Sequence, residues 1–227
     1  NVRQAVISGL KNHYNLNLKS IVFKPVGEES YSYLVTDVSD KKYFIKYCEK
    51  LNIIRKIDLI NQLLIQIKAF DFVVSPIESN GKTSFDILSG KIYMYPYIDG
   101  EIITIGNSKF NQNLVKTLLE IMVKIHSSKD IINVDLPIEN FNNDFFEDFE
   151  KILNFLKTNL YKINDETKSV LESNKTLIYR LISEHTKLGE YYKTNKPFLV
   201  LTHGDITGRN IILTKNGLKL VDWDGAM

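Results

Sequence analysis

The chain has 227 residues, of which 44% are hydrophobic and 25% charged, and its formal net charge is +2. Its basic residues are scattered, so no nucleic-acid-binding surface is predicted, and no apolar run approaches the ~18 residues of a membrane span. The single cysteine, Cys48, excludes an intrachain disulfide and is typical of a reducing compartment. Because the N-terminus lacks a basic segment followed by an apolar stretch, we expect a cytoplasmic protein.

Residues 1–97 combine helical and strand-like patterns. Apolar residues at helical spacing predict helices over Val2–Tyr14 and Ile53–Lys68. Short β-prone runs separated by turn-forming residues predict antiparallel strands. The predicted strands are Leu18–Val26, Tyr31–Thr36, Lys42–Tyr47, Ser84–Leu88 and Lys91–Tyr95. This mixture predicts a small α+β lobe.

The remaining residues, 98–227, are mainly helical in pattern. The predicted helices are Asn111–His126, Asp144–Leu160 and Lys168–Tyr192. An apolar run, Phe198–Leu201, then predicts a buried strand. A loop follows, and after it a hairpin of Asn210–Leu213 and Leu218–Val221, in which an Asn-Gly pair supplies the positive φ values of a tight turn. We therefore predict an α+β protein whose second lobe is mainly helical.

Acidic and amide side chains surround the predicted hairpin. Asp205 stands in the loop before it, Asn210 follows five residues later, and Asp222 comes directly after the second strand. With His203 as its first residue, this spacing matches the H-x-D-x-x-x-x-N pattern and the metal-binding Asp of phosphoryl transfer. A carboxylate can orient a hydroxyl group and take its proton, whereas amide and carboxylate oxygens suit Mg²⁺. The pattern predicts Asp205 as the catalytic base, and Asn210 and Asp222 as metal ligands.

Three runs around this motif, Leu201–Asp205, Asn210–Leu213 and Val221–Asp224, resemble the aminoglycoside phosphotransferase and choline kinase superfamily. Within that superfamily the chain is most similar to the spectinomycin-type aminoglycoside phosphotransferases. The runs Tyr43–Lys46 and Ile92–Ile98 support the resemblance.

The resemblance implies a protein-kinase-like fold of two lobes. An antiparallel sheet with a helix would form the N-terminal, nucleotide-binding lobe, residues 1–97, with a hinge at about residues 94–98. A mainly helical C-terminal lobe, residues 98–227, would carry the small catalytic hairpin and the substrate site. Because the family continues with further helices, the resemblance implies that this C-terminal lobe is truncated.

By the same resemblance, Lys46 would hold the α- and β-phosphates of ATP or GTP, and Mg²⁺ would be the second cofactor. The family pairs this lysine with a Glu on the following helix. Here that helix contains no Glu, and its single acid is Asp58. We expect Asp58 to pair with Lys46, with Glu49 as the alternative.

Two further segments are expected to contact the nucleotide. In the hinge, the resemblance implies that the Tyr95 carbonyl and the Tyr97 amide face the adenine edge, and Pro96 between them has no N–H to donate. Ser30 and Ser32, in the expected phosphate loop at residues 27–32, would add hydroxyl or backbone donors to the phosphates.

The predicted function is transfer of the γ-phosphate of ATP to a hydroxyl group of a small molecule. The resemblance implies an aminoglycoside or aminocyclitol antibiotic as that acceptor. The acidic and aromatic run at residues 142–150 is a candidate contact for a cationic acceptor, although a helix with a solvated acidic face explains the run as well. Two alternatives remain open: a kinase for a metabolite such as choline, methylthioribose or homoserine, and a non-catalytic kinase-like binding or spore-coat protein. His203 is expected to brace the catalytic loop.

Overall fold

The computed structural model describes residues 2–25, 30–103, 111–142, 151, 154, 158 and 164–227. The chain divides into two compact units, Asn1–Pro137 with Val200–Met227, and Ile138–Leu199. The whole candidate motif lies in the first unit. The predicted lobe boundary at residues 94–98 also lies inside the first unit, and it stays a prediction.

An antiparallel five-stranded sheet forms much of the first unit. Its strands are β1 (Leu18–Lys24), β2 (Tyr31–Asp37), β3 (Lys42–Cys48), β4 (Ser84–Ile87) and β5 (Gly90–Pro96). They lie in the order β1-β2-β3-β5-β4, and every neighbouring pair is antiparallel. The strands are rich in β-branched and aromatic residues, which fit a pleated, half-buried surface. The antiparallel sheet predicted for the N-terminal part of the chain is confirmed.

Helix α1, Val2–Tyr14, covers one face of this sheet. Val6 and Leu10 lie four residues apart on one side of the helix and are fully buried. They pack in one cluster with Val35 of β2 and Ile45 of β3. The predicted and observed bounds of this helix are the same, because its apolar spacing is regular.

Helix α2, Leu51–Gln66, contributes to two separate apolar clusters. In its first half, Ile54 and Ile57 pack against Tyr93 of β5. Tyr93 lies directly opposite Lys46 of β3, and residues that pair across strands share one face of the sheet. Lys46 therefore lies on the sheet face that α2 covers.

The second half of α2 belongs to a different cluster, which contains Ile60, Leu63 and Leu64 together with Trp223. Helix α3, Gln112–His126, contributes its buried apolar residues to the same cluster. The side chain of Asn111 caps α3 by accepting a hydrogen bond from the Leu114 N–H at 3.0 Å.

A small three-stranded sheet lies beside this second cluster. Its strands are β6 (Glu101–Ile102), β7 (Ile211–Thr214) and β8 (Gly217–Leu220), in the order β6-β7-β8. β7 and β8 form the predicted hairpin, whereas β6 is too short to leave a readable pattern. Leu220 is fully buried, and its N–H donates to the Phe72 carbonyl at 2.8 Å. This bond anchors the hairpin, and with it the loops on either side.

The prediction of a strand at Phe198–Leu201 is wrong. These residues form no strand. Phe198 is 77% exposed, and Leu201 alone packs in the cluster that contains Trp223. Next to this run, the Thr202 N–H donates to the Met227 carbonyl at 3.0 Å.

The second unit contains the long helix α4, Asp165–Asn195, which extends the prediction at both ends. The helix predicted at Asp144–Leu160 falls mostly outside the described residues, of which Lys151, Asn154 and Thr158 are helical. None of the described helices is both long and apolar enough to cross a membrane.

Candidate active site

The loop around Asp205 and the turn after β8 approach each other at two glycines. Gly204 has φ +80°, and a Cβ atom at this position would lie 2.0 Å from the Gly225 carbonyl oxygen. No L side chain fits such a contact, and the left-handed φ also favours glycine. The two loops that carry the predicted catalytic and metal-binding residues therefore meet only because position 204 lacks a side chain.

The amide of Asn210 holds the Asp205 side chain in place. Asn210 Nδ2 donates to Asp205 Oδ2 at 2.8 Å and to the Asp205 carbonyl oxygen at 3.0 Å. Both partners can only accept, which assigns the nitrogen to this side of the amide. Asn210 Oδ1 therefore points away from Asp205 and is left for another electropositive partner.

Asp222 stands next to Asn210 across the hairpin. The N–H of Val221, the preceding residue, donates to the Asn210 carbonyl at 3.0 Å. Asp222 itself adopts φ 63° and ψ 60°, a left-handed conformation that is uncommon outside glycine. Such backbone strain is frequent at functional sites. The exposed Asp222 carboxylate and the Asn210 amide oxygen are hard-oxygen donors of the kind that Mg²⁺ and Ca²⁺ prefer.

Lys46 reaches this donor set from β3. Its Nζ lies 3.6 Å from Asp222 Oδ1, and the two side chains are 22% and 51% exposed. The structure thus contains two pairs of side chains in contact: Lys46 with Asp222, and Asp205 with Asn210. All four residues were predicted from the sequence, and the Lys46–Asp222 ion pair was not.

The expected pairing of Asp58 with Lys46 is wrong. Asp58 Oδ2 lies 2.7 Å from Lys91 Nζ, and Asp58 Oδ1 accepts a hydrogen bond from Ser84 at 3.1 Å. Lys91 is on β5 and Ser84 on the edge strand β4, so this part of α2 lies over the edge of the sheet rather than over β3.

The alternative partner, Glu49, does not pair with Lys46 either. Its Oε1 accepts hydrogen bonds from the hydroxyl groups of Tyr47 at 2.8 Å and Ser89 at 3.1 Å. In this structure Lys46 therefore pairs with the predicted metal ligand, Asp222, rather than with an acid near or on α2.

The two predicted phosphate-loop serines differ in environment. Ser32 belongs to β2, pairs across the sheet with Lys46, and is only 1% exposed. The expected loop at residues 27–32 overlaps the predicted strand Tyr31–Thr36, and at Ser32 the strand is confirmed and the loop is wrong, because β2 begins at Tyr31. Ser30 is half-buried just before the strand, and its contact with phosphate stays a prediction.

The predicted hinge contacts face β3 rather than the opposite side of β5, which β4 covers only as far as Tyr93. The Tyr97 N–H donates to the Lys42 carbonyl at 3.3 Å, so it is directed at β3. Backbone groups alternate in direction along a strand, which turns the Tyr95 carbonyl toward β3 as well. The Met94 carbonyl points the other way and accepts from the Ile77 N–H at 2.7 Å. The prediction of Tyr95 and Tyr97 as adenine contacts is therefore wrong in register, and the Pro96 carbonyl is the next acceptor on the side of β5 away from β3.

His203 braces the loop from inside the core. It is 2% exposed, its ring centroid lies 4.4 Å from that of Trp223, and its Nδ1 accepts from the Asp205 N–H at 3.4 Å. Desolvation by burial lowers the pKa of His203, so the neutral ring is favoured. This environment agrees with the expected structural role.

Sequence reasoning missed one buried polar contact near the site. The Tyr95 hydroxyl donates to Asn61 Oδ1 at 2.8 Å, and Asn61 is fully buried on α2. An asparagine on an otherwise aliphatic helix face was the available signal. Residues 143–150, the core of the candidate acceptor contact, lie outside the described part of the chain.

The architecture is shared with solved phosphotransferases. A spectinomycin phosphotransferase in complex with ADP and spectinomycin superposes with a TM-score of 0.71 and 22% identity, over 99% of this chain and 69% of that one. The chain has the fold of the aminoglycoside phosphotransferases. The resemblance inferred from the motifs is thus confirmed at the level of the fold.

Two further structures share this phosphotransferase fold. An amicoumacin kinase with AMP-PNP and Ca²⁺ gives a TM-score of 0.59 at 18% identity, over 98% of this chain and 64% of that one. An aminoglycoside phosphotransferase from Alicyclobacillus acidocaldarius gives 0.61 at 14% identity, over 95% and 66%. No protein-family model and no curated protein sequence matches the chain.

Proposed function

We propose that this protein binds ATP with Mg²⁺ and transfers the γ-phosphate to a hydroxyl group of a small molecule. The arrangement of four side chains carries the proposal: Asp205 held by Asn210 at 2.8 Å, and Asp222 facing Lys46 at 3.6 Å. A carboxylate, an amide oxygen, a second carboxylate and a lysine are the groups that phosphoryl transfer needs.

Asp205 is the proposed catalytic base. Its carboxylate is exposed and can accept a hydrogen bond from an acceptor hydroxyl and take the proton as the phosphoryl group is transferred. Asn210 fixes one carboxylate oxygen, Oδ2, by donating to it. The other oxygen, Oδ1, is then directed at the acceptor. This fixed orientation is the contribution that the loop makes to catalysis.

Asn210 Oδ1 and the Asp222 carboxylate are the groups that would hold the metal. A bound Mg²⁺ supplies charge neutralisation between the phosphate oxygens. Lys46 would then pair with phosphate oxygens, since a lysine is a compact point charge that binds phosphate well. In this proposal both groups of the Lys46–Asp222 ion pair exchange their mutual contact for contacts with the nucleotide and its metal.

The adenine ring is proposed to bind at the end of β5, on the side away from β3 and beyond the pairing with β4. The Pro96 carbonyl, at the last residue of the strand, is the acceptor on this side. This register replaces the Tyr95 and Tyr97 contacts, whose backbone groups face β3. It also explains how a proline can occupy the hinge, because its missing N–H is not required.

The proposed acceptor is an aminoglycoside or aminocyclitol antibiotic. Support comes from the solved structures of the same fold, whose names give spectinomycin, amicoumacin and aminoglycosides as their substrates. At 14 to 22% identity these names suggest a class of acceptor.

A substrate panel tests the proposal. Purified protein with Mg-ATP should release ADP in the presence of one member of a set containing spectinomycin, several aminoglycosides, choline, methylthioribose and homoserine. Mass spectrometry of that acceptor should show one added phosphate group. If only choline or methylthioribose is phosphorylated, the acceptor is a metabolite and not an antibiotic. Failure to bind Mg-ATP in calorimetry would overturn the proposed phosphotransferase.

A further inference from the structure

Asn61 is the one polar residue among the buried residues of α2, a helix that the structure describes in full. It is 0% exposed. On the side of the helix that carries Asn61, the neighbouring residues belong to different clusters: Ile57, four residues before it, packs against the sheet, and Leu64, three residues after it, packs in the core that contains Trp223. Asn61 therefore lies at the seam between the two clusters.

One half of the Asn61 amide is satisfied and the other half is not. Oδ1 accepts a hydrogen bond from the Tyr95 hydroxyl at 2.8 Å. Nδ2 has no hydrogen-bond partner in the part of the chain that the structure describes. A buried donor without a partner destabilises a fold, and its retention calls for a reason other than stability.

Tyr95 connects this amide to the candidate active site. It precedes Pro96, whose carbonyl is the proposed adenine acceptor, and it lies opposite Phe44, two residues from Lys46 on the same strand. Desolvation by burial, with a smaller contribution from the charge of Asp224, raises the pKa of Tyr95 and keeps its hydroxyl a neutral donor. The hydroxyl thus links α2 to the hinge strand next to the turn that carries Asp222.

We propose that Asn61 is a positioning residue of the nucleotide site: α2 supplies no acidic partner for Lys46, and a neutral hydrogen bond from Tyr95 to Asn61 joins the helix to the hinge strand instead. Through this bond α2, which also packs against Trp223 next to Asp222, holds that turn in position relative to the hinge strand. The unpartnered Nδ2 of Asn61 lowers the free energy of unfolding, and this loss is the cost of placing a polar group between the two clusters. This inference rests on the proposed nucleotide site.

Three single variants of the full chain, with the double variant of Asn61→Leu and Tyr95→Phe, separate positioning from packing. Asn61→Leu keeps the branched shape and removes both polar atoms, and Tyr95→Phe removes only the hydroxyl. Tyr93→Phe is the matched control, because Tyr93 lies on the same face of β5 and its hydroxyl donates to the Ile54 carbonyl of α2 at 3.4 Å. Binding of ADP with Mg²⁺ is measured by calorimetry, and unfolding by urea.

Asn61→Leu should weaken nucleotide binding about tenfold, the loss expected from one buried polar contact, while its urea midpoint stays equal to that of the wild type or rises. Tyr95→Phe should weaken binding to a similar extent. The double variant should bind no worse than either single variant, because Asn61→Leu, Tyr95→Phe and their combination all remove the same hydrogen bond. Tyr93→Phe should bind as the wild type does.

Wild-type affinity in Asn61→Leu or in a folded Tyr95→Phe would overturn the inference and leave the proposed function standing. A fall in affinity that follows a fall in the urea midpoint would also overturn it, since Asn61 would then act through stability. Should the wild type itself bind no nucleotide, the proposed function fails first and the inference with it.

Discussion

Lys46 Nζ lies 3.6 Å from Asp222 Oδ1. The lysine comes from the centre of the five-stranded sheet and the carboxylate from the turn after β8, so this ion pair joins the sheet to the hairpin. Asp222 is half-exposed and the two charges are 3.6 Å apart, and partly exposed ion pairs of this kind contribute about 0–1 kcal/mol to stability. The pair is better understood as two ligand-binding groups in contact with each other than as a stabilising element.

Replacing Lys46 by Met should therefore separate binding from stability. We expect Lys46→Met to weaken binding of Mg-ADP about tenfold or more, because a phosphate loses its charged partner. The free energy of unfolding should change by less than about 1 kcal/mol. Calorimetry and urea denaturation measure the two quantities.

Lys91→Met is the matched control for this variant. Lys91 is a similarly exposed lysine of the same sheet face, in an ion pair with Asp58 at 2.7 Å. It should keep wild-type affinity. Equal losses of affinity in Lys46→Met and Lys91→Met would show that the site does not depend on Lys46 specifically.

Gly204→Ala should disrupt the contact between the loop that carries Asp205 and the turn at Gly225. The new Cβ would meet the Gly225 carbonyl oxygen at 2.0 Å, in addition to the strain of φ +80°. Gly81→Ala carries the strain alone, since Gly81 has φ +71° and no atom within 4 Å of its Cβ position. The strain of an L residue costs roughly 1–2 kcal/mol. In urea denaturation we expect Gly204→Ala to lose clearly more free energy of unfolding than Gly81→Ala, and equal losses would argue against the close contact.

Some elements could be predicted from the sequence because local spacing decides them. Helix α1 and the β7–β8 hairpin follow from apolar periodicity and from an Asn-Gly turn. The proximity of Asp205, Asn210 and Asp222 could be predicted because one hairpin brings them together over a short stretch of chain. Phe198–Leu201 shows the limit: an apolar run reads as a strand, but a strand also needs a neighbour to pair with.

Other features depend on how distant segments pair. The direction of the Tyr97 N–H is set by the register of β5 against β3, so a hinge position read from the sequence can be wrong by one residue. The partner of Lys46 depends likewise on where α2 crosses the sheet. Asp58 lies near the edge strand and meets Lys91 instead.

The buried imidazole of His203 should make the fold sensitive to mild acid. Burial lowers the pKa of His203 in the folded state below the 6.5 of a free imidazole, so the unfolded chain binds the proton more readily. The free energy of unfolding should therefore fall as the pH drops below about 6.5. In His203→Gln this dependence should be shallower, by up to about 1.4 kcal/mol per pH unit for one proton.

Urea denaturation between pH 7.5 and 5 measures the effect. His185→Gln, at an exposed position on α4, is the control for the replacement of a histidine by glutamine. The same slope in wild type and His203→Gln would contradict a buried, neutral His203.

Asp205→Asn gives the sharpest test of the proposed chemistry. The replacement keeps the size of the side chain and an oxygen that can accept from Asn210 Nδ2, but it removes the base. With the acceptor found in the panel, we predict that kcat falls by roughly 10²–10⁴-fold, while the calorimetric affinity for Mg-ADP stays within about twofold of the wild type. Wild-type turnover in Asp205→Asn would contradict a phosphotransferase in which this carboxylate accepts the proton.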